Sequence, residues 1–127
     1  MKKILLSIKP EFAHAILNGT KKVEFRKRMP LSLNEGCVLI YSSFPEKKII
    51  GEFRFSKILC ETPEVLWRMT SRDGGISKNF FDKYFLGKDK AFAFYIDKVT
   101  RFENPYDLKD FGVTRAPQSF QYIETTE

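Results

Sequence analysis

Hydrophobic and polar positions alternate along residues 4–9, with Ile4, Leu6 and Ile8 on one face and Leu5, Ser7 and Lys9 on the other, which predicts a strand. The period then changes. Pro10, followed by Ala13, Ile16 and Leu17 at helical spacing and by Gly19, predicts a short helix with proline in its first turn and glycine past its end. His14 falls on its exposed side. Residues 21–27 return to a two-residue period, setting Val23 and Phe25 against Lys22, Glu24 and Arg26, so this strand has a charged face. A loop with Pro30, Asn34 and Gly36 leads into residues 37–43, apolar enough to be buried on both sides and ended by Pro45. Residues 49–60 predict a long strand in which Phe53 and Phe55 alternate with Glu52 and Arg54, while Gly51 marks a bulge or a close backbone approach.

Two short helices follow. Thr62-Pro63 starts one bearing Val65, Leu66 and Trp67; after a turn at 71–75, Ser77 caps a second that carries Phe80, Phe81 and Tyr84 to Gly87. Phe80 and Phe81 read as core. Residues 91–102 form the last strong strand, which Asn104-Pro105 is expected to break before a weak helical turn at 106–110 and a final strand at 119–123. The order β-α-β-β-β-α-α-β-α-β lacks regular βαβ alternation. It predicts one α+β domain over residues 1–127, a small, mostly antiparallel β-barrel with flanking short helices.

Composition narrows the function classes. The chain of 127 residues has 13 Phe, 5 Tyr and 1 Trp and is 43% hydrophobic, which excludes a disordered protein. Its 22 Lys and Arg against 16 Asp and Glu leave 22 − 16 = +6, a balance that favours polyanionic partners and also serves solubility. Cys37 and Cys60 sit among apolar neighbours as buried free thiols do, which points to a reducing, cytoplasmic setting. The basic and apolar start is cut short by Lys9-Pro10, too early for a signal peptide, and no membrane segment is expected. A single His and two thiols offer no zinc constellation, so neither a metal nor a cofactor is expected.

The densest polar signal is residues 18–28. On a strand Glu24 and Arg26 share a face roughly 6.5 Å apart, which places a carboxylate among cations. Such a face suits a ligand with donor and acceptor edges, such as a nucleobase, with Lys21 reaching a phosphate or carbonyl oxygen. The plainer alternative is a solvated face with a cross-strand ion pair. Bases also need flat side chains to stack on, for which Tyr41, Phe44, Trp67 and Tyr84 are candidates. Trp67 equally suits packing against a barrel. Tyr41, Ser42 and Ser43 lie where a buried strand runs into a loop; Arg115, Gln118 and Ser119 form a polar stretch whose groups suit base edges or phosphate. Lys9, before the helix-starting proline, is a further candidate.

The spacing of Gly19, Lys21, Glu24 and Arg26 resembles the G-x-K-x-x-E-x-R signature of the ASCH domains, members of the PUA-like superfamily. Ser7-Ile8-Lys9-Pro10, Ile50-Gly51-Glu52-Phe53 and Ala116-Pro117-Gln118-Ser119-Phe120 resemble the small single-domain bacterial, archaeal and phage branch. The resemblance implies a PUA-like barrel with a cleft lined by Lys21, Glu24 and Arg26, in a superfamily that includes RNA-binding PUA domains and the EVE and YTH readers of modified bases. The expected function is binding of RNA or a nucleotide through a base, modified or unmodified, and its phosphate. An enzyme reading stands beside it, since some ASCH proteins hydrolyse N4-acetylcytidine without a metal and others are linked to RNA cleavage; Lys21 and Glu24 would then be catalytic. The amidohydrolase branch has a Thr just after its lysine and a later Glu. Here Val23 and Glu24 stand in the motif, and Glu61 and Glu64 are only loose counterparts of that later carboxylate.

Overall fold

The computed structural model describes residues 1–29 and 35–125. Six strands form one sheet: β1 (Lys2–Ile8), β2 (Val23–Arg26), β3 (Gly36–Ser42), β4 (Lys48–Glu61), β5 (Ala91–Tyr106) and β6 (Phe120–Glu124). Their order is β2-β5-β4-β3-β1-β6, with β1 and β3 parallel and every other pair antiparallel. The sheet coils into a barrel-like form that stays open between its edge strands β2 and β6. Three helices flank it: α1 (Pro10–Asn18), α2 (Pro63–Thr70) and α3 (Lys78–Tyr84), with a 3-10 turn at Leu108–Phe111.

The local signals in the sequence explain most of these boundaries. Pro10 stands in the first turn of α1, and Gly19 ends it in the left-handed region at φ 84°. From there the amides of Thr20 and Lys21 both donate to the Ala15 carbonyl, at 3.0 and 3.1 Å, folding the chain back towards β2. Thr62 and Ser77 cap α2 and α3, accepting from the amides of Val65 and Phe80. At Gly51 a Cβ would lie 2.6 Å from the Thr100 carbonyl oxygen and 2.7 Å from Leu17, so the close approach expected there is real.

Three apolar clusters hold the sheet. The concave face packs Ile4, Leu6, Val38, Ile40, Phe53 and Phe94 against Ala13 and Ile16 of α1. Val23 and Phe25 of β2 pack on Leu66 of α2 and Phe81 of α3. On the other side, Leu5, Leu39, Tyr41 and Ile49 are covered by the segment containing Phe111 and Val113.

Several expectations are corrected. Asn104-Pro105 does not end β5, which runs to Tyr106. Gly51 pairs with Arg101 and Ile49 with Tyr106, so Pro105 falls in a bulge where the ladder asks nothing of its missing N–H. Cys60 is exposed, because it lies on the far half of β4 beyond the central core, whereas Cys37 is buried as expected. Of the loop expected at 28–36, residues 30–34, including Pro30 and Asn34, lie outside the described residues.

Candidate functional site

A cavity of about 1020 Å³ opens at the gap between the sheet edges. Its floor comes from β2. The strand is too short and too enclosed for its charged face to be solvated: Glu24 is buried between Lys21 and Arg26. Lys21 Nζ lies 3.8 Å from Glu24 Oε1, and Arg26 Nη1 donates to Glu24 Oε2 at 3.2 Å.

Lys21 is 2% exposed. Its ammonium donates to the Gly74 carbonyl at 2.5 Å and lies over the rings of Phe25 and Phe12, 4.9 and 5.4 Å from their centroids. Burial pushes its pKa down, because the charged form loses water, and Glu24 opposes that shift. Gly74-Gly75 is the turn that permits this. A Cβ at Gly74 would lie 2.7 Å from the Phe25 ring, and one at Gly75, whose φ is +66°, would lie 2.8 Å from Lys21 Cβ.

Arg26 spans the open seam. Besides Glu24, its guanidinium reaches the Ser7 carbonyl on β1 at 3.3 Å and both the carbonyl and Oγ of Ser119, just before β6, at 3.2 and 3.4 Å. Its Nε is buried without a hydrogen-bond partner among the described residues. One side chain thus joins edges that no backbone ladder joins.

The walls are aromatic and the rim is basic. Tyr84 and Phe80 are stacked with their planes 14° apart, 6.4 Å between centroids, and Phe12 meets Phe80 edge-on. Burial raises the Tyr84 pKa, and its hydroxyl donates to the Phe25 carbonyl at 3.4 Å. Lys9 lies over Phe80 and Lys27 over Tyr84, with Arg28 and Lys88 also on the lining. A planar group entering here meets ring faces, a carboxylate and cations together.

Of the residues singled out in the sequence, Lys9, Lys21, Glu24, Arg26, Ser43 and Tyr84 line this cavity, as do Gln118 and Ser119. Others lie elsewhere. Tyr41 is buried in the cluster on the other side of the sheet, because it alternates with Ile40 on a strand covered on both faces. Ser42 is buried and off the lining, and Arg115 is exposed away from it. Trp67 packs against Phe81, 5.1 Å between centroids, and Phe44 stands exposed outside the cavity. Phe80, expected in the core, faces the cavity instead. The Gly74 carbonyl, Phe12, Lys27, Arg28 and Lys88 were not singled out; the paired glycines and the run Lys27-Arg28 were the available signals. Glu61 and Glu64 are exposed and off the lining, so neither sets a second carboxylate beside Lys21. Among the described residues no group of three or more His, Cys, Asp or Glu gathers to hold a metal, and no helix is long and apolar enough to cross a membrane.

An open, barrel-like six-stranded sheet with short helices and a polar cavity at its seam defines a PUA-like domain. The ASCH domain model matches residues 6–105, and the chain belongs to the ASCH domain family. It is 33% identical over 129 residues to a Zymomonas mobilis protein named ASCH domain-containing ribonuclease, covering 99% of this chain and 87% of that one. The crystal structure of ASCH from Zymomonas mobilis superposes with a TM-score of 0.90 at 31% identity, over 97% of this chain and 88% of that one. The chain is also 34% identical over 122 residues, 95% of its length, to the large ribosomal subunit protein uL22 of Ureaplasma parvum serovar 3, and spans 39% of that relative's length. The N-terminal domain of Staphylothermus marinus McrB shares the fold, with a TM-score of 0.51 at 18% identity over 85% of this chain and 77% of that one.

Proposed function

We propose that the seam cavity binds RNA, taking one base against Tyr84 and Phe80 while the rim cations meet the adjoining phosphates. The observation that carries this reading is the buried Lys21–Glu24–Arg26 group at the floor of a cavity rimmed by Lys9, Lys27, Arg28 and Lys88. A carboxylate held between two cations accepts from a base amino group, and ring faces with nearby cations suit an unpaired base. The Zymomonas mobilis relative, a ribonuclease by name, supports an RNA ligand over a protein one. The setting in this reading is cytoplasmic, in keeping with the unpaired thiols of Cys37 and Cys60.

Fluorescence titration of a labelled single-stranded RNA at two salt concentrations tests it. Lys21→Met, which preserves side-chain volume in the buried site, is the variant of choice. Binding that weakens with salt and falls in Lys21→Met is the expected result. Salt-indifferent binding, or affinity unmoved by the substitution, overturns the reading.

The same relative favours a second reading, in which the bound RNA is cut. Glu24 would take the proton from a 2′-hydroxyl as its oxygen forms a bond to the adjacent phosphorus. The bond from phosphorus to the 5′-oxygen breaks, and Lys21 returns a proton to that oxygen. Cleavage products ending in a 2′,3′-cyclic phosphate, lost in Glu24→Gln, are the expected outcome. An RNA left intact after prolonged incubation refutes cleavage while leaving the binding reading in place.

A further inference from the structure

We infer that Phe44 forms a second base-binding subsite just outside the seam cavity, so that the ligand is a single-stranded oligonucleotide rather than a free nucleoside or mononucleotide. This rests on the RNA reading above. All 13 phenylalanines lie among the described residues, and Phe44 is the one classed as exposed, at 79%. The other twelve are buried or half-buried in the core clusters or the cavity wall.

Phe44 is held out by its surroundings. It follows Ser43, which lines the cavity and whose amide donates to the Ile8 carbonyl at 2.9 Å, tying the β3–β4 turn to the end of β1. The turn closes on itself through the Glu46 amide to the Ser43 carbonyl at 3.1 Å. His14 Nε2 and Glu46 Oε1, 2.8 Å apart, fasten the turn to α1. Phe44 lies between two such anchors, one on either side of it in sequence. The ring is therefore presented from an ordered turn, which reduces the entropy a stacking base must overcome.

Its position fits the path of a strand. Lys9, on the cavity rim, follows Ile8, whose carbonyl holds the Ser43 amide, and Lys47 and Lys48 follow Phe44, Lys48 being paired with Asp107. A nucleotide whose base enters the cavity places its phosphate near the Lys9 side of the rim, and the next base falls towards Phe44. An apolar ring near cations is the composition that binds unpaired nucleic acid without reading its sequence. Affinity is therefore expected to grow with length beyond one nucleotide.

The experiment compares two probes, adenosine 5′-monophosphate and a fluorescein-labelled single-stranded RNA of about ten nucleotides, against wild type, Phe44→Ala and Phe44→Trp. Stacking on one aromatic ring corresponds to a loss of about five- to a hundred-fold when it is removed. Phe44→Ala is expected to weaken the RNA by an amount in that range and leave the mononucleotide unchanged, and Phe44→Trp is expected to restore RNA binding. Oligonucleotide affinity unmoved in Phe44→Ala but reduced in Lys21→Met overturns the subsite and leaves the cavity reading standing. Equal losses for both probes would show that Phe44 acts on the cavity itself and overturn the subsite. If wild type binds neither probe, the RNA reading fails, and this inference with it.

Discussion

Replacing Arg26 by Met tests whether one side chain fastens the open seam. The substitution removes four polar contacts, to Ser7, Glu24 and the two oxygens of Ser119, all between 3.2 and 3.4 Å. Among the described residues it also leaves the buried Glu24 carboxylate with only Lys21, at 3.8 Å. Hydrogen bonds to a charged group contribute about 1.5–3 kcal/mol each when counted singly, but these share one guanidinium and do not add. Against them stands the unpartnered Nε, whose burial costs about 1–3 kcal/mol in the wild type and is relieved by Met. The expected net loss is about 2–4 kcal/mol, mostly the cost of an undercompensated buried carboxylate. Urea unfolding followed through Trp67, the single tryptophan, which packs on Phe81, reads it as a lower midpoint at an unchanged slope. Glu24→Gln combined with Arg26→Met is expected to cost less than the two single substitutions summed, because the neutral amide no longer needs the cation. A loss below about 0.5 kcal/mol in Arg26→Met, or strict additivity in the double variant, would refute the seam argument.

Lys21 gives a pH signature. Its folded pKa lies below the unfolded value of 10.5, so the unfolded chain binds more protons between the two, and stability rises with pH across that window. The stability of Lys21→Met relative to wild type should therefore fall as pH rises from neutrality towards 10.5, whatever its value at neutral pH; a difference that grows with pH contradicts the burial argument. Gly75→Ala meets both a left-handed φ and Lys21 Cβ at 2.8 Å, and is expected to cost about 1–3 kcal/mol in thermal or urea unfolding and to weaken any ligand that depends on Lys21. The thiols should part company in a disulfide-exchange assay at pH 8. Cys60 is exposed and reacts promptly, whereas Cys37, pushed up to about 11 by burial and by neighbouring Glu52, reacts only on unfolding. Two thiols titrating at one rate would contradict the placement of Cys37.

Local chemistry was legible where it is written in neighbouring residues. The period change at Pro10, the left-handed stop at Gly19, the caps at Thr62 and Ser77 and the close approach at Gly51 each depend on a few adjacent side chains, and each stands in the structure. The signature residues Lys21, Glu24 and Arg26 were also legible as a group, since three residues on or beside one strand must lie near one another whatever the rest of the chain does.

What the sequence by itself determined was therefore the order and type of the elements and the strand that carries the charged group. Only the tertiary structure decided which way that group faces and what it touches. Lys21 meets Gly74, 53 residues away, and Arg26 meets Ser119, 93 residues away, contacts that exist because the sheet coils until its edges approach. The same holds for Tyr41. A strand buried on both faces has no polar side to mark the cavity, so its alternation could not tell that Ser43 would reach the site while Tyr41 turned to the opposite core. Periodicity reports burial, and burial alone does not distinguish a packed interior from the wall of an open cavity.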